Sequence, residues 1–369
     1  MGTSGRTSVS RIGIGIVGCG EAAQIIHIPA LQQLRDRFEI TALCDVSPRV
    51  LDGAARQVGN GAATYADHAL LAADDAVDAV LVANPDVFHA ETAIAALEAG
   101  KHVFLEKPMC MTLAEADALA AAERRSGRLV QVGYMRRYAP ALVRAAELVA
   151  AARGRIRFAR VQDILGRNAQ FIDDTSAVIR DADLPQATRA AFAARQDAGF
   201  RAAIGTDSGD LRNSYTLLLG LSSHDISAMR ELLGRPLRVL HATSRHQGRV
   251  ITAVFDYGDF VCEFATGIDE IARFDAYMEV FAEDVVIRVD YETPYIRNLP
   301  ARLRVTRPDT VHGVAETVSF PSRLDSFVIE WTAFHRKLTE GRTPKTSVAD
   351  ARADLEIFQE IIGHLRAQA

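Results

Sequence analysis

A short stretch near the N-terminus has the residue types and spacing of a phosphate-binding turn. The letters G-C-G-E-A-A follow an apolar run, Ile12 to Val17, and precede a helical apolar pattern. The first glycine permits a tight turn, the second lets the backbone approach a pyrophosphate, and the small final residue lets the helix pack closely on the strand. Free N–H groups at a helix start also favour phosphate. The candidate dinucleotide-binding residues of this turn are Gly18, Gly20, Glu21, Ala22 and Ala23.

Two charged residues come after predicted strands. Asp45 follows Glu39 to Cys44, at the place where a carboxylate accepts hydrogen bonds from the ribose hydroxyls of adenosine. Lys107 comes just after His102 to Leu105, and Pro108, a candidate cis-proline, fixes the chain direction behind it. An ammonium group there is suited to stabilise negative charge that grows on a substrate oxygen as a hydride leaves the carbon.

Alternating strand and helix patterns surround these residues up to Gly133 and must position them. Such alternation predicts a parallel sheet that is covered by helices on both faces. Ligands on these sheets bind beyond the carboxyl ends of the strands, so Asp45, Asn84 and Lys107 are expected to meet the glycine turn in one crevice. The predicted strands are 12–17, 39–44, 63–65, 79–83, 102–105 and 129–133, and the predicted helices are 48–58, one after Asp67, 87–99 and 113–126.

The pattern changes after Arg155. Period-two apolar runs separated by turns predict a mainly antiparallel sheet with one polar face. The fold class expected is α/β plus α+β: an N-terminal Rossmann doubly wound parallel sheet (residues 1–133) and a C-terminal open, mainly antiparallel sheet domain (134–369). The C-terminal helix is a candidate to pack back on the first domain. The predicted strands are 155–163, 250–257, 260–267, 274–281, 285–291 and 302–306, and the predicted helices are 324–340 and 348–367.

Composition argues against several functional classes. A net charge of −5 over 369 residues, with no basic stripe, argues against a nucleic-acid partner. No apolar run approaches the ~20 residues of a membrane span, and Met1 to Ser10 lacks the apolar core of a signal peptide. We therefore expect no membrane partner and a cytoplasmic location. The four cysteines have no C-x-x-C spacing, which predicts reduced thiols and no metal site.

Several motifs in this chain resemble those of the glucose–fructose oxidoreductase, inositol dehydrogenase and rhizopine catabolism (Gfo/Idh/MocA) oxidoreductases. They are G-C-G-E-A-A followed by H-I-P-A-L, C-D-V-S-P, N-P-D-V-F-H-A, A-G-K-H-V-F-L-E-K-P-M and V-G-Y-M-R-R-Y-A-P-A. The resemblance implies an NAD(P)-dependent enzyme that acts on a sugar, a sugar derivative or a cyclitol. It also implies a homodimer or homotetramer built on the outer face of the second sheet.

The resemblance also implies roles for individual residues. Glu106 is expected near the nicotinamide ribose, with Lys107 in contact with the substrate. Asp45 favours NAD over NADP because a 2′-phosphate would meet a like charge, and Arg49 nearby softens that preference. The other candidate cofactor contacts are Asn84, Pro85, His89 and Arg137.

His224 is the candidate base. Oxidation of a secondary alcohol needs a group that takes the hydroxyl proton, and a histidine, with an ordinary pKa of ~6.5, suits that task near neutral pH. The family places aspartates four residues before and three after this histidine, where Gly220 and Ser227 stand here. A purely structural, helix-capping histidine is the alternative. The residues that are candidates to orient the imidazole in place of the missing aspartates are Asp225, Asp163 and Tyr215.

The segment from Asn168 to Leu217 is long for a connection inside a domain, and such a segment is either functional or disordered. It contains a predicted helix from Pro185 to Asp197. We expect a lid or pocket wall for a substrate larger than a free monosaccharide, such as a glycoside, and a subunit-contact arm is the equally weighted alternative. The candidate substrate contacts are Lys107, Arg137, Tyr138, Asp163, Asp207, Asn213, Tyr215, Ser223 and His224.

The reaction expected is reversible hydride transfer between NAD and a ring secondary hydroxyl of a polyol, with His224 as base and Lys107 stabilising the oxygen. Two alternatives stay open. One is a glycosidase or lyase in which bound NAD oxidises the sugar only transiently, so that no net NADH forms. The other is a non-catalytic NAD-binding sensor, which the missing aspartates make conceivable.

Overall fold

The computed structural model describes residues 11–181 and 184–368, so the expectation for Met1 to Ser10 falls outside the described residues. The first sheet is made of β1 (Ile12–Val17), β2 (Phe38–Cys44), β3 (Ala63–Tyr65), β4 (Ala79–Val82), β5 (His102–Glu106) and β6 (Val130–Gly133). All neighbouring strands are parallel, in the order β3-β2-β1-β4-β5-β6. This order reverses direction at β1, which places a ligand crevice at its carboxyl end.

Helices cover both faces of this sheet, and local sequence explains where several begin and end. Ser47 caps the second helix through its side chain, Thr112 and Glu115 form a capping box, and Gly127 ends the fifth helix with a φ of 64°. These helices are α1 (Ile28–Gln33), α2 (Pro48–Val58), α3 (His68–Ala72), α4 (His89–Glu98) and α5 (Leu113–Ser126). A π-helical turn, Ala23–His27, precedes α1, and a 3₁₀ turn, Asp86–Phe88, precedes α4.

The second sheet contains eight strands, and one of its pairs is parallel. Its strands are β7 (Ile156–Leu165), β8 (Arg238–Arg245), β9 (Val250–Asp256), β10 (Val261–Ile268), β11 (Phe274–Ala282), β12 (Val286–Tyr291), β13 (Arg302–Asp309) and β14 (Gly313–Ser319). The order is β14-β13-β12-β11-β7-β10-β9-β8, and only β7 with β10 runs parallel among these described strands. The predicted fold class is confirmed.

Further helices join the two sheets and pack on them. They are α6 (Met135–Tyr138), α7 (Pro140–Ala152), α8 (Asn168–Thr175), α9 (Gln186–Ile204), α10 (Gly209–Leu217), α11 (Ser223–Leu233), α12 (Ser326–Glu340) and α13 (Val348–Arg366). A second π-helical turn, Leu218–Ser222, joins α10 to α11. The long C-terminal helix lies against the first half of the chain, where Arg352 Nε is 2.8 Å from Asp117 Oδ1.

Sequence patterns missed some elements and misplaced some ends. The strand β14 was not predicted because its residues are almost all exposed, so they carry no alternation of apolar and polar types. The helix predicted over 87–99 begins with a 3₁₀ turn, and the one predicted over 185–197 continues to Ile204. In the described part of the chain, no helix combines the length and apolar character that crossing a membrane requires.

Candidate active site

The glycine turn after β1 has the shape that a bound pyrophosphate requires. Gly18 has a φ of +90°, and a Cβ there would lie 2.3 Å from the backbone nitrogen of Asn84. Only glycine fits this position without strain. A Cβ on Gly20, by contrast, would meet no atom within 4 Å, so the backbone at the second glycine faces open space. The turn therefore fits a dinucleotide phosphate, as the sequence predicted.

Asp45 lies at the carboxyl end of β2, beside this turn. Its Oδ2 accepts a hydrogen bond from Cys19 N–H at 2.9 Å, and its Oδ1 accepts one from Ser47 N–H at 2.8 Å. These backbone donors fix the carboxylate at the position from which Rossmann proteins bind the adenosine ribose. Arg49, the residue expected to moderate the charge here, is exposed in α2.

Glu106, at the end of β5, is held by a chain of three side chains. Its Oε1 lies 2.8 Å from His27 Nε2, and Trp331 Nε1–H donates to His27 Nδ1 at 3.1 Å. Because an indole N–H can only donate, His27 Nδ1 is the acceptor and Nε2 carries the proton that binds Glu106. Burial alone would raise the pKa of Glu106, but the hydrogen bond from His27 and the charge of Lys107 hold this pKa below its ordinary value.

Lys107 follows directly, and its peptide bond to Pro108 is cis. Its Nζ donates to the carbonyl oxygen of Gly220 at 2.7 Å. Gly220 lies in the π-helical turn between α10 and α11, where the changed helical register gives backbone carbonyls new partners. Burial lowers the pKa of Lys107, and Arg136 lowers it further, while Glu106 opposes the shift.

His224 lies in the first turn of α11 and lines the same cleft as Lys107. Burial holds the pKa of His224 well below its ordinary value, and the charges of Lys107 and Arg136 act in the same direction. The imidazole is therefore neutral near pH 7 and has a lone pair to accept a proton. Its Nδ1 has no hydrogen-bond partner among the described residues.

The cleft that contains these groups has a volume of about 210 Å³. It joins side chains from both halves of the chain at the carboxyl edge of the first sheet. Burial, together with the charges of Glu21 and Glu106, raises the pKa of Tyr295 to about 12, so this phenol stays a hydrogen-bond donor. The cleft is lined by Ala22, Ile26, Ala83, Asn84, Asp86, His89, Glu106, Lys107, Met135, His224, Pro294, Tyr295 and Phe327.

Three comparisons with known proteins bear on this geometry. Residues 12–134 match the family described as "Oxidoreductase family, NAD-binding Rossmann fold" (GFO_IDH_MocA). These residues therefore belong to the Gfo/Idh/MocA family. The resemblance found in the motifs is confirmed, and with it the prediction of an NAD-type cofactor.

A curated relative and two solved structures extend the comparison. Inositol 2-dehydrogenase/D-chiro-inositol 3-dehydrogenase of Lactiplantibacillus plantarum is 33% identical over 144 residues, which are 39% of this chain and 39% of that protein. The match thus spans about two fifths of the relative. Levoglucosan dehydrogenase, in complex with NADH and levoglucosan, has a TM-score of 0.75 at 18% identity, with 98% of each chain covered. A 3-ketoreductase from Actinomadura kijaniata, in complex with NADP and TDP-benzene, has a TM-score of 0.72 at 20% identity and covers 97% of this chain and 98% of that one. These two structures show the shared fold.

Gly220 and Ser227 stand at the two positions where Gfo/Idh/MocA proteins were expected to carry an aspartate, and each forms a different hydrogen bond here. At the first, the carbonyl of Gly220 accepts the Lys107 hydrogen bond. At the second, Ser227 Oγ accepts a bond from Arg137 Nη1 at 3.3 Å. In the described part of the chain no hydrogen bond joins His224 to any of the residues expected to orient it. The structure therefore does not supply the orienting group that was expected from Asp163, Asp225 or Tyr215.

Asp163 and Asp225 form a buried cluster with Arg136 instead. Arg136 Nη1 lies 2.9 Å from Asp163 Oδ2 and also binds Asp225 Oδ1. Burial raises the pKa of Asp225 well above its ordinary value, Arg136 opposes this shift, and the Asp163 carboxylate adds to it. Arg136 is therefore the cation that lies between these two buried carboxyls and offsets their negative charge. Sequence reasoning missed Arg136, although its neighbour Arg137 was singled out.

The structure does not bring four other candidates to the cleft. Arg137 is buried against Glu231 and Asp350, and Tyr138 OH is 3.0 Å from Thr346 Oγ1. Asn213 Nδ2 donates to the Gln247 carbonyl on the surface, and Tyr215 OH donates to the Met111 carbonyl inside the protein. Their positions do not support the predicted contacts with substrate or cofactor. The residues concerned are Arg137, Tyr138, Asn213 and Tyr215.

Four more candidates have mixed outcomes. Asp207 is exposed and lies 3.7 Å from Arg201 Nη1, away from the cleft. Ser223 is buried next to His224, and its Oγ has no partner among the described residues. His89 lines the cleft, with its ring nitrogens 2.7 Å from the Pro108 carbonyl and 2.8 Å from that of Asn84. Pro85, between β4 and the 3₁₀ turn, has the extended conformation that precedes a helix start.

Sequence reasoning also missed the residues that reach the cleft from far along the chain. Phe327 comes from α12, and Tyr295 comes from the loop after β12. Trp331, also in α12, is buried behind the cleft and acts on Glu106 through His27. The helical apolar spacing of α12 predicts a buried face, but no motif ties that face to Glu106. Such contacts, separated by about two to three hundred residues, depend on tertiary packing alone.

Proposed function

We propose that this protein is an NAD-dependent dehydrogenase that transfers hydride between nicotinamide and a ring secondary hydroxyl of a sugar, glycoside or cyclitol. The observation that carries the proposal is that Lys107 and His224 line one cleft beside the glycine turn. The inositol and levoglucosan dehydrogenases named above act on compounds of this class. Nicotinamide, when bound, supplies the hydride acceptor.

The two groups divide the chemistry of alcohol oxidation. The Lys107 ammonium binds the substrate oxygen and stabilises the negative charge that grows there as the carbon loses hydride. His224, neutral because of its lowered pKa, takes the hydroxyl proton at an imidazole nitrogen. In the direction of ketone reduction, the same imidazole returns a proton to the oxygen.

The surrounding residues keep these groups in place. The Gly220 carbonyl fixes the Lys107 amine on one side of the cleft. The hydrogen bonds from Trp331 to His27 and from His27 to Glu106 fix the Glu106 carboxylate, which directly precedes Lys107 in the sequence. Preorganised groups of this kind lower the barrier because they need not rearrange as charge develops.

The first test is turnover of NAD⁺ with a panel of cyclitols, monosaccharides and glycosides, measured as net NADH formation. In the Lys107→Ala variant we expect kcat with the best substrate to fall by about 10³, while calorimetry shows NAD⁺ binding little changed. The matched control is Lys101→Ala, which removes an amine at the opposite edge of the sheet, where Lys101 Nζ binds the Asp74 carbonyl.

Each outcome of this test has a distinct meaning. Unchanged turnover in Lys107→Ala contradicts the proposed role of the amine. Cleavage of a glycoside without net NADH supports the glycosidase or lyase alternative. Binding of NAD⁺ with no reaction across the panel supports a sensor.

The proposed assembly, a homodimer or homotetramer, would use the outward face of the second sheet. This face carries ion pairs between strands, such as Arg160 with Glu263 at 3.1 Å. A molecular mass measured in solution at several protein concentrations tests the proposal, and a monomer at all of them contradicts it.

A further inference from the structure

One buried row of side chains crosses four strands of the second sheet. Its members are direct partners in the strand register, so their side chains point to the same face. Arg136 Nη1 is 2.9 Å from Asp163 Oδ2, and the guanidinium carbon is 5.0 Å from the centre of the Tyr291 ring. Because Ala276 lies between those two residues, the guanidinium is above the short side chain of Ala276. The residues of the row are Thr266 on β10, Asp163 on β7, Ala276 on β11 and Tyr291 on β12, and all four are buried.

The same guanidinium reaches the helix that carries the candidate base. Arg136 Nη1 also donates to Asp225 Oδ1, and Asp225 directly follows His224 in the first turn of α11. Arg136 and Asp225 are 4% and 1% exposed. Charge-assisted hydrogen bonds are stronger than neutral ones, and more so where water is excluded. Arg136 therefore ties the start of α11 to β7.

A second bond holds the chain on the other side of His224. Ser222 Oγ donates to Thr266 Oγ1 at 3.2 Å, and both residues are buried. Ser222 precedes His224 by two residues, at the end of the π-helical turn. The backbone that carries His224 is thus bonded to the buried row on both sides, whereas Nδ1 of the imidazole has no partner among the described residues.

The position of the imidazole matters because proton transfer has a short reach. A general base must come within about 3 Å of the hydroxyl oxygen, and a displacement of about 1 Å costs up to about 10² in rate. Gly220 and Ser227 stand where aspartates were expected to hold the base. Anchoring the backbone on both sides of His224 opposes such a displacement and leaves the imidazole nitrogens to the substrate.

We propose that Arg136 and Asp225 are positioning residues for His224, which they place by fixing the first turn of α11 to β7. This inference rests on the proposed dehydrogenase function, in which His224 takes the hydroxyl proton. Asp225 then orients the base through the backbone, and not through a hydrogen bond to the ring.

The charges around the guanidinium allow Asp225 to be removed without leaving Arg136 unpaired. Asp163 faces the guanidinium from β7, and the Tyr291 phenol faces it from β12. Burial raises the pKa of Tyr291, so this phenol stays neutral. Removal of the only partner of a buried charge is strongly destabilising, but the pair of Arg136 with Asp163 remains in Asp225→Ala. We therefore expect this variant to fold.

The test is the single-turnover rate of NADH formation by the full chain, at saturating NAD⁺ and with the best substrate of the cyclitol, monosaccharide and glycoside panel. In Asp225→Ala we expect this rate to fall by about 10², with the Kd for NAD⁺ unchanged. In Asp225→Asn the rate should return close to that of wild type, because the amide oxygen still accepts the bond from Arg136.

The matched control is Asp354→Ala. Arg230, on the same helix as His224, lies 2.6 Å from Asp354 Oδ1 and 3.1 Å from Asp350 Oδ1. The control therefore also removes one of two carboxylates from an arginine, but near the other end of α11. It should lower the melting temperature as Asp225→Ala does, while the rate stays that of wild type. An equal loss of rate in the control would mean that any damage to α11 slows the reaction, which overturns the positioning role.

A double-mutant cycle separates positioning from a general structural effect. If Asp225 acts through His224, Asp225→Ala should cause no further loss in the His224→Gln background. Equal fold losses in the wild-type and His224→Gln backgrounds overturn the proposal. If Asp225→Ala does not fold, Arg136→Lys takes its place in the cycle, because it keeps the positive charge but lacks the planar guanidinium that binds both carboxylates.

Failure of this proposal and failure of the proposed function look different. If no substrate of the panel reduces NAD⁺ in wild type, or if His224→Gln keeps the wild-type rate, the proposed function falls, and this inference with it. If His224→Gln loses the rate while Asp225→Ala and Arg136→Lys keep it, the function stands and only the positioning role is overturned.

Discussion

Two π-helical turns border the cleft, and each leads to a histidine with a different environment. The turn Ala23–His27 ends in His27, whose two ring nitrogens are both bonded, one to Trp331 and one to Glu106. The turn Leu218–Ser222 precedes His224, whose Nδ1 has no partner among the described residues. The first histidine is therefore suited to position another group, whereas the second is suited to react.

The same contrast extends to the two sides of the cleft. On the side of the first sheet, Asp45 and Glu106 each accept two hydrogen bonds from fixed donors. On the side of α11 and the second sheet, Ser223 Oγ, Asp225 Oδ2 and Tyr291 OH have no partner among the described residues. The carboxylates on the side of the first sheet thus have their hydrogen bonds made, whereas the other side contains buried polar atoms without a partner among the described residues.

The largest effect should come from the reactive histidine. In His224→Gln we expect kcat to fall by about 10³, within the usual range for loss of a general base, while the Kd for NAD⁺ is unchanged. Stopped-flow measurement of NADH formation checks this. The matched control, His102→Gln, changes a histidine at the amino end of β5, whose Nδ1 binds Leu129 N–H, and should keep full turnover. A fall of less than tenfold in His224→Gln would mean that another group takes the proton.

We expect a smaller effect when His27 loses the hydrogen bond that the indole N–H of Trp331 donates to it. In Trp331→Phe we expect kcat/KM to fall about fivefold, since one buried hydrogen bond contributes about 1 kcal/mol. ¹⁵N NMR should show His27 changing from the Nε2–H tautomer to a mixture. Phe334→Leu is the control, because it alters packing against Trp331 without touching the hydrogen bonds. An unchanged tautomer in Trp331→Phe contradicts the positioning chain.

The smallest effect concerns the carbonyl of Gly220, at the position where the family was expected to carry an aspartate. A Cβ on Gly220 would meet no atom within 4 Å, so Gly220→Asp should fold normally. The new carboxylate should raise the lowered pKa of Lys107. Since the protonated amine is the active form, the alkaline limb of the kcat/KM profile then moves to higher pH. Gly220→Asn adds no charge and should leave the alkaline limb at its wild-type pH. If the Gly220→Asp and Gly220→Asn variants have the same pH profile, the alkaline limb does not report the ionisation of Lys107.

The fold and the cofactor side were largely predictable from the sequence because they depend on local signals. The glycine turn, Asp45, Lys107 and the cis bond before Pro108 all lie at strand ends that the apolar runs reveal. Each of these residues is placed by its own strand. The position of each such residue therefore depends on few long-range contacts.

The substrate side was less predictable because its contacts join distant segments. Asp163 and Asp225 both pair with Arg136, although more than sixty residues separate the two aspartates along the chain. No spacing rule in the sequence links these residues. The π-helical turn that exposes the Gly220 carbonyl is one extra residue in a helical pattern, which an apolar periodicity does not resolve. Residues 176–181 show the same limit, since nothing in their letters, S-A-V-I-R-D, predicts the hydrogen bond from Ser47 to Asp181.

A double-mutant cycle tests most directly whether Lys107 and His224 act on one substrate hydroxyl. Single-turnover rates of NAD⁺ reduction would be measured at saturating substrate and cofactor for wild type, Lys107→Ala, His224→Gln and the double variant. If both side chains act on the same oxygen, the double variant falls little further than the slower single variant, because the effects of residues that work as a unit do not add. If the two losses multiply, the groups act independently, and the account of a shared catalytic cleft is contradicted.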